Sequence, residues 1–78
     1  MRELLEYLAR GLVEQPERVR VREVPEEDGA TLLELSVAPE DYGSVIGRGG
    51  RTAAALRTVI KAAAAGRRRR VFVDVVDS

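Results

Sequence analysis

The sequence predicts an α+β fold with its elements in the order α-β-β-α-α-β. Three observations carry this. Apolar residues recur at helical spacing in some segments, alternate with polar ones in three short segments, and are separated by Pro, Gly and Asp-Gly steps. With 78 residues the chain is expected to form one domain over 1–78, too short for a second core.

Leu4, Leu5, Leu8, Leu12 and Val13 recur at helical spacing with Glu3, Glu6, Arg10 and Glu14 between them, which predicts an amphipathic helix over 2–14 that Pro16 stops. Arg18-Val19-Arg20-Val21-Arg22 alternates strictly, so the first strand is placed there, valines toward the core and arginines toward water or a partner. Leu33, Leu35 and Val37 alternate with Leu32, Glu34 and Ser36 in a second strand. The intervening Pro25-Glu26-Glu27-Asp28-Gly29 carries an Asp-Gly turn, so the two strands are read as a hairpin. Pro39 suits the first position of a short helix, Glu40 and Asp41 complement its dipole, and Tyr42, Val45 and Ile46 form its apolar face until Gly47 ends it. A longer helix runs over 51–65, with Ala53, Leu56, Val59, Ile60 and Ala63 on one side, Arg51, Ala54, Arg57 and Lys61 on another, and Gly66 as the stop. Val71-Phe72-Val73-Asp74-Val75 alternates again, valines inward, Phe72 and Asp74 outward. The chain thus reads as a helix plus hairpin over 2–37 that shares its second strand with a β-α-α-β core over 31–76.

Thirteen Lys and Arg balance thirteen Asp and Glu, but unevenly. From Gly43 to Val73 stand eight of the thirteen cations, Arg48, Arg51, Arg57, Lys61 and Arg67 to Arg70, with no acid. That stretch, not the net charge, points to a polyanion partner. The absence of Cys and His removes disulfides, Cys/His zinc sites, thiol nucleophiles and imidazole bases. Asp41, Asp74 and Asp77 are too dispersed to form a catalytic pair, so no enzymatic activity and no cofactor are expected. Acids at Glu3 and Glu6 are wrong for a signal peptide, and no apolar run approaches a membrane span, so a cytoplasmic location without membrane contact is expected.

The most informative segment is Val45-Ile46-Gly47-Arg48-Gly49-Gly50-Arg51, a glycine-rich bend between two helices with cations inside it. Gly47 and Gly50 frame a Gly-x-x-Gly turn. Lacking Cβ atoms, it lets backbone N–H groups approach a phosphate, the next helix's amino end adds partial positive charge, and Arg48 and Arg51 add ionic hydrogen bonds. The plain alternative is a tight helix-helix turn, which needs one glycine and no cations. A nucleotide-hydrolysing P-loop is excluded, because the loop lacks a Gly-Lys-Ser/Thr ending, does not follow a strand and has no Mg²⁺ carboxylate downstream of it before Asp74.

The β-α-(Ile-Gly-x-x-Gly)-α-β pattern resembles the KH domain over nearly the full chain. The preceding helix and strand resemble its prokaryotic type II arrangement, which implies a three-stranded mixed sheet with the helices packed on one face. More narrowly, Leu12-Val13 before Pro16, Asp41-Tyr42-Gly43 ahead of Val45-Ile46-Gly47, and Arg51-Thr52-Ala53 followed by Leu56-Arg57-Thr58 are similar to the small stand-alone bacterial KH proteins of the KhpA type. That resemblance implies binding of short single-stranded RNA, with about four nucleotides clamped by the loop. It also implies RNA-chaperone or post-transcriptional activity, a larger KH-domain partner, and a part in cell-wall homeostasis and cell shape; it leaves a homodimer open.

Carried onto this sequence, the resemblance makes Ile46, Gly47, Arg48, Gly49, Gly50, Arg51, Ala54 and Arg57 the RNA contacts, with Gly43, Ser44 and Lys61 as further candidates. Ile46 reads equally as core, and Val45 more so. A departure is Gly49, where the family often has a polar or charged side chain; it leaves Arg48 as the loop's one side chain. Arg67 to Arg70 are expected to satisfy the carboxyl end of the long helix and stay solvated, as are Arg18, Arg20 and Arg22 on their strand. With Tyr7, Tyr42 and Phe72 the only aromatics, binding on stacking platforms is not expected. A rival function is a protein-interaction module in which the fold serves dimerisation.

Overall fold

The computed structural model describes residues 1–76; Asp77, considered above among the acids, lies outside them. The elements are α1 (Arg2–Arg10), β1 (Arg20–Pro25), β2 (Thr31–Ser36), α2 (Tyr42–Ile46), α3 (Arg51–Gly66) and β3 (Val71–Val75). Short 3-10 turns at Pro16–Arg18, Pro39–Asp41 and Arg48–Gly50 link them. The α-β-β-α-α-β order and the three-stranded mixed sheet are the ones expected from the sequence.

The sheet order is β1-β2-β3. β1 and β2 pair antiparallel with Val21 opposite Leu35, and β2 and β3 pair parallel with Leu33 opposite Val73. The hairpin turns at Gly29, whose φ of 86° suits a residue without a Cβ. Asp28 Oδ1 accepts the Ala30 N–H at 3.1 Å and its Oδ2 pairs with Arg70 at 3.1 Å. The Ala30 N–H, and after it the Arg70 guanidinium, hold the Asp28 carboxyl below the usual aspartate range. Parallel pairing of β2 with β3 requires a long crossover, which α2 and α3 supply.

The aliphatic core lies between one sheet face and the helices. Leu33, Leu35, Val71, Val73 and Val75 meet Leu5 and Ala9 of α1, Val45 of α2, and Ala53, Leu56, Ile60 and Ala64 of α3. On the outer face the register aligns Val24, Leu32 and Phe72 in one row and Arg22, Glu34 and Asp74 in the next. The strand arginines are exposed as expected, with two engaged by their own chain: Arg22 Nε donates to Glu34 at 2.8 Å, and Arg20 to the Glu17 and Val19 carbonyls.

Three expectations need correction. The first helix stops at Arg10 instead of residue 14. Gly11 is a poor helix former, and both Asp41 carboxylate oxygens accept N–H bonds at 3.1 Å, from Glu14 and Gln15, fixing those donors outside the helix. β1 begins at Arg20 because Pro16–Arg18 forms a turn whose Pro16 carbonyl accepts the Val19 N–H at 3.1 Å; Val19 is nonetheless buried. Val59, grouped above with the core side of the long helix, is 45% exposed, since at 100° per residue the stripe through Ala53, Leu56, Ile60 and Ala64 leaves it at the border.

The arginine run closes α3. The Arg68 N–H bonds the Ala65 carbonyl and the Arg69 N–H the Ala64 carbonyl, at 3.0 and 2.9 Å, the paired bonds of a Schellman motif. Its left-handed position falls on Arg68 (φ 55°), while Gly66 remains helical.

Candidate functional site

Between α2 and α3 the chain reverses over four residues, and the glycines divide the work. Gly47 has φ 78° and ψ 166°, a region essentially reserved for glycine. A Cβ there would lie 2.8 Å from the Thr52 backbone nitrogen. Gly49 (φ 66°, ψ 18°) and Gly50 (φ 78°, ψ 13°) are left-handed, and neither would meet a neighbour if it carried a Cβ. Gly47 is therefore fixed by packing, whereas Gly49 and Gly50 form an open backbone surface. The Gly47 N–H closes α2 on the Gly43 carbonyl at 2.8 Å, and the Gly50 N–H closes the loop on the Gly47 carbonyl at 3.0 Å.

Gly50 caps α3 without a side chain, so no side-chain oxygen occupies the first-turn N–H groups of this 16-residue helix. The helix dipole adds about half a positive charge there. Arg48 and Arg51 flank it, both exposed, and among the described residues neither makes a salt bridge or side-chain hydrogen bond. The Arg51 N–H is already bonded to the Arg48 carbonyl, but a helix end without a side-chain cap, its partial positive charge and two unpaired guanidinium groups together make a site for an anionic group.

Arg51, Ala54, Arg57 and Lys61 share one exposed face of α3, as their spacing predicts. Arg57 is partly committed: its Nε donates to the Val73 carbonyl of β3 at 3.1 Å. That carbonyl belongs to the open side of the sheet. The Arg70 carbonyl accepts from the Thr31 N–H and the Val76 N–H bonds Leu35, so even-numbered residues of β3 face β2 and odd-numbered ones face away. Lys61 extends past the strand to the Phe72 ring, its Nζ 5.8 Å from the centroid. Ile46 is half-buried at the end of α2, Val45 is wholly core, and Gly43 and Ser44 are exposed one turn earlier. Thr52, which underlies Gly47, and the Val73 carbonyl carried no distinguishing signal in the sequence; both are consequences of tertiary packing.

A KH-type fold with a glycine loop opening on an uncapped helix defines the class, and comparison with known proteins narrows it. The family described as KhpA/KhpB, KH domain, matches residues 2–75. The chain is 53% identical to RNA-binding protein KhpA of Clostridium acetobutylicum over 76 residues, 97% of this chain and 100% of the relative. It is 51% identical to RNA-binding protein KhpA of Halalkalibacterium halodurans over 78 residues, 99% of this chain and 100% of that relative. A third relative, RNA-binding protein KhpA of Clostridium perfringens, is 50% identical over 76 residues, 97% of this chain and all 100% of its own. The chain belongs to the KhpA/KhpB KH-domain family, which is not an enzyme family.

Proposed function

We propose that this chain binds short single-stranded RNA without catalysing a reaction, its loop Gly47-Arg48-Gly49-Gly50 clamping the strand's backbone within one KH domain whose core spans 31–76. The observation that carries the reading is the uncapped amino end of α3, opening at three positive-φ glycines beside Arg48 and Arg51, in a stretch without acids from Gly43 to Val73. A phosphate there accepts backbone N–H bonds along the helix dipole and ionic bonds from the guanidinium groups. Ile46, Arg51, Ala54 and Arg57 border the path of the following bases, with Gly43, Ser44 and Lys61 at its margins. Ala54 is small and exposed, leaving room for a base between two arginines, and the open side of β3 offers backbone donors and acceptors for base edges. The printed names of the relatives support RNA as the ligand. A cytoplasmic setting, chaperone or post-transcriptional action, and the part in cell-wall homeostasis and cell shape follow from the KhpA resemblance. No helix among the described residues is long and apolar enough to cross a membrane.

The test is a titration with single-stranded RNA and with a duplex of equal length. Tighter binding to the single strand is expected, because the path needs unpaired bases; equal or tighter binding to the duplex contradicts the reading.

A second surface favours association with another KH chain. Leu8 and Leu12 of the α1 region and Thr52, Ala55, Leu56 and Val59 of α3 line an apolar groove, with Leu12 41% and Val59 45% exposed. A second copy or the larger KH partner seats there. Sedimentation of the wild type, alone and with a second KH chain, against Val59→Asp tests it; equal masses throughout contradict association through this groove.

A further inference from the structure

Resting on the loop as a single-strand site, we infer that Phe72, with Lys61, Arg69 and Arg70 around it, is a second subsite for the same strand. It stacks a base beyond those held near the loop, while Asp28 restrains it by occupying Arg70. The ring is 40% exposed. Lys61 Nζ and the Arg70 guanidinium carbon lie 5.8 and 5.9 Å from its centroid, within reach of cation–π attraction. Phe72 and these cations, with Arg69, Ala64 and Val71, line one depression beside the start of β3. Both cations stand over the ring, so a base stacks there as these flexible side chains move from the ring onto its phosphate.

The position suits the same strand. Lys61 shares the α3 face of Arg51, Ala54 and Arg57, and lies ten residues past Arg51, roughly 15 Å at the helical rise. A strand leaving the loop along that face passes Arg57 and arrives at the ring. The left-handed step at Arg68 makes this possible: it turns the run back on itself, so that Arg69 and Arg70 stand at β3 instead of trailing from the helix.

The opposite side of the ring is acidic. Glu26, Glu27 and Asp28 of the hairpin border it, Asp28 pairs with Arg70 at 3.1 Å, and Asp74 follows along the outer face. The subsite therefore opens toward α3, and the hairpin carboxylates compete with an incoming phosphate for Arg70. The bland alternative is a ring that only covers Leu32 in the row Val24, Leu32, Phe72.

The experiment measures binding of wild type, Phe72→Leu, Arg70→Gln, Asp28→Asn and the loop variant Arg48→Asp/Gly49→Asp to end-labelled, random-sequence single-stranded RNA pools of four and eight nucleotides. Phe72→Leu keeps the apolar bulk over Leu32, and Arg70→Gln alters an exposed side chain, so at least one remains folded. Phe72→Leu should weaken binding of the eight-nucleotide pool by at least about five-fold. Arg70→Gln should weaken it too, and Asp28→Asn should tighten it by up to about five-fold; all three leave the four-nucleotide pool within about two-fold of wild type. Unchanged binding of the longer pool by Phe72→Leu and Arg70→Gln, or Asp28→Asn acting equally on both pools, overturns the subsite while the loop reading stands. If the loop variant binds both pools like wild type, or wild type binds neither, the loop reading itself fails and the subsite with it.

Discussion

The backbone nitrogen of Thr52 lies 2.8 Å from where a Cβ on Gly47 would sit, so the turn into α3 leaves no space for a side chain at that glycine. Gly47 also holds φ 78° with ψ 166°, so substitution meets backbone strain and overlap at once. Gly47→Ala should destabilise the fold by about 2–4 kcal/mol, and Gly49→Ala or Gly50→Ala by only about 1–2 kcal/mol, the usual left-handed penalty. Urea unfolding of the three variants checks the order. Equal losses would mean that the loop relaxes freely around Gly47.

Asp41 is 3% exposed and its two carboxylate oxygens hold the Glu14 and Gln15 N–H groups, tying the segment after α1 to the start of α2. Asp41→Ala removes two charge-assisted bonds and leaves those donors without their partner, an expected loss of about 2–4 kcal/mol. Asp41→Asn should fall between. Amide exchange at Glu14 and Gln15 should accelerate in Asp41→Ala; unchanged exchange there would show that Asp41 is not their anchor.

Arg68 takes the left-handed position of the α3 closure that glycine usually fills. Arg68→Gly should raise stability by about 0.5–1 kcal/mol through relief of that strain, less the added freedom of the unfolded chain. Thermal melting reads it, and a lower melting temperature would show that the Arg68 side chain contributes more than its backbone costs.

The Asp28 carboxyl is lowered first by the Ala30 N–H and then by Arg70. A lowered folded-state value means that this residue contributes stability above its unfolded pKa, which is lost as pH falls through the folded value. Arg70→Gln should therefore raise the Asp28 pKa without bringing it to the unfolded value, since the Ala30 bond remains. Carboxyl-carbon NMR from neutral to strongly acidic pH measures it, and an unchanged midpoint would mean that Arg70 does not neutralise Asp28 in solution.

The order of the elements is legible in the sequence because the two periodicities are clean: Leu33 and Leu35 alternate, Ala53, Leu56 and Ile60 recur helically, and Asp28-Gly29 marks the turn. The ends are less legible. Nothing local says that Asp41, far along the chain, captures the Glu14 and Gln15 donors, although Gly11 within a helical pattern was a signal for an earlier stop. Val59 has the spacing of a core residue, and only the packing of α3 on the sheet shows the stripe passing beside it. At the loop, the three glycines and Arg48 and Arg51 can be read directly, but the steric role of Gly47 and the free roles of Gly49 and Gly50 look identical in one-letter code. The link from Arg57 to Val73 joins elements that sequence spacing cannot relate.

Titrating short single-stranded RNA into Arg48→Asp/Gly49→Asp tests the backbone clamp at the loop. Arg48 and Gly49 are both exposed, and a side chain on Gly49 meets no neighbour, so the variant should fold. The left-handed aspartate costs about 1–2 kcal/mol, which for a domain of this size lowers the melting temperature by roughly 4–16 °C. Two carboxylates at the phosphate site should weaken RNA binding by at least about ten-fold, the equivalent of one lost charge-assisted hydrogen bond. A variant with native circular dichroism and wild-type RNA affinity would contradict the clamp.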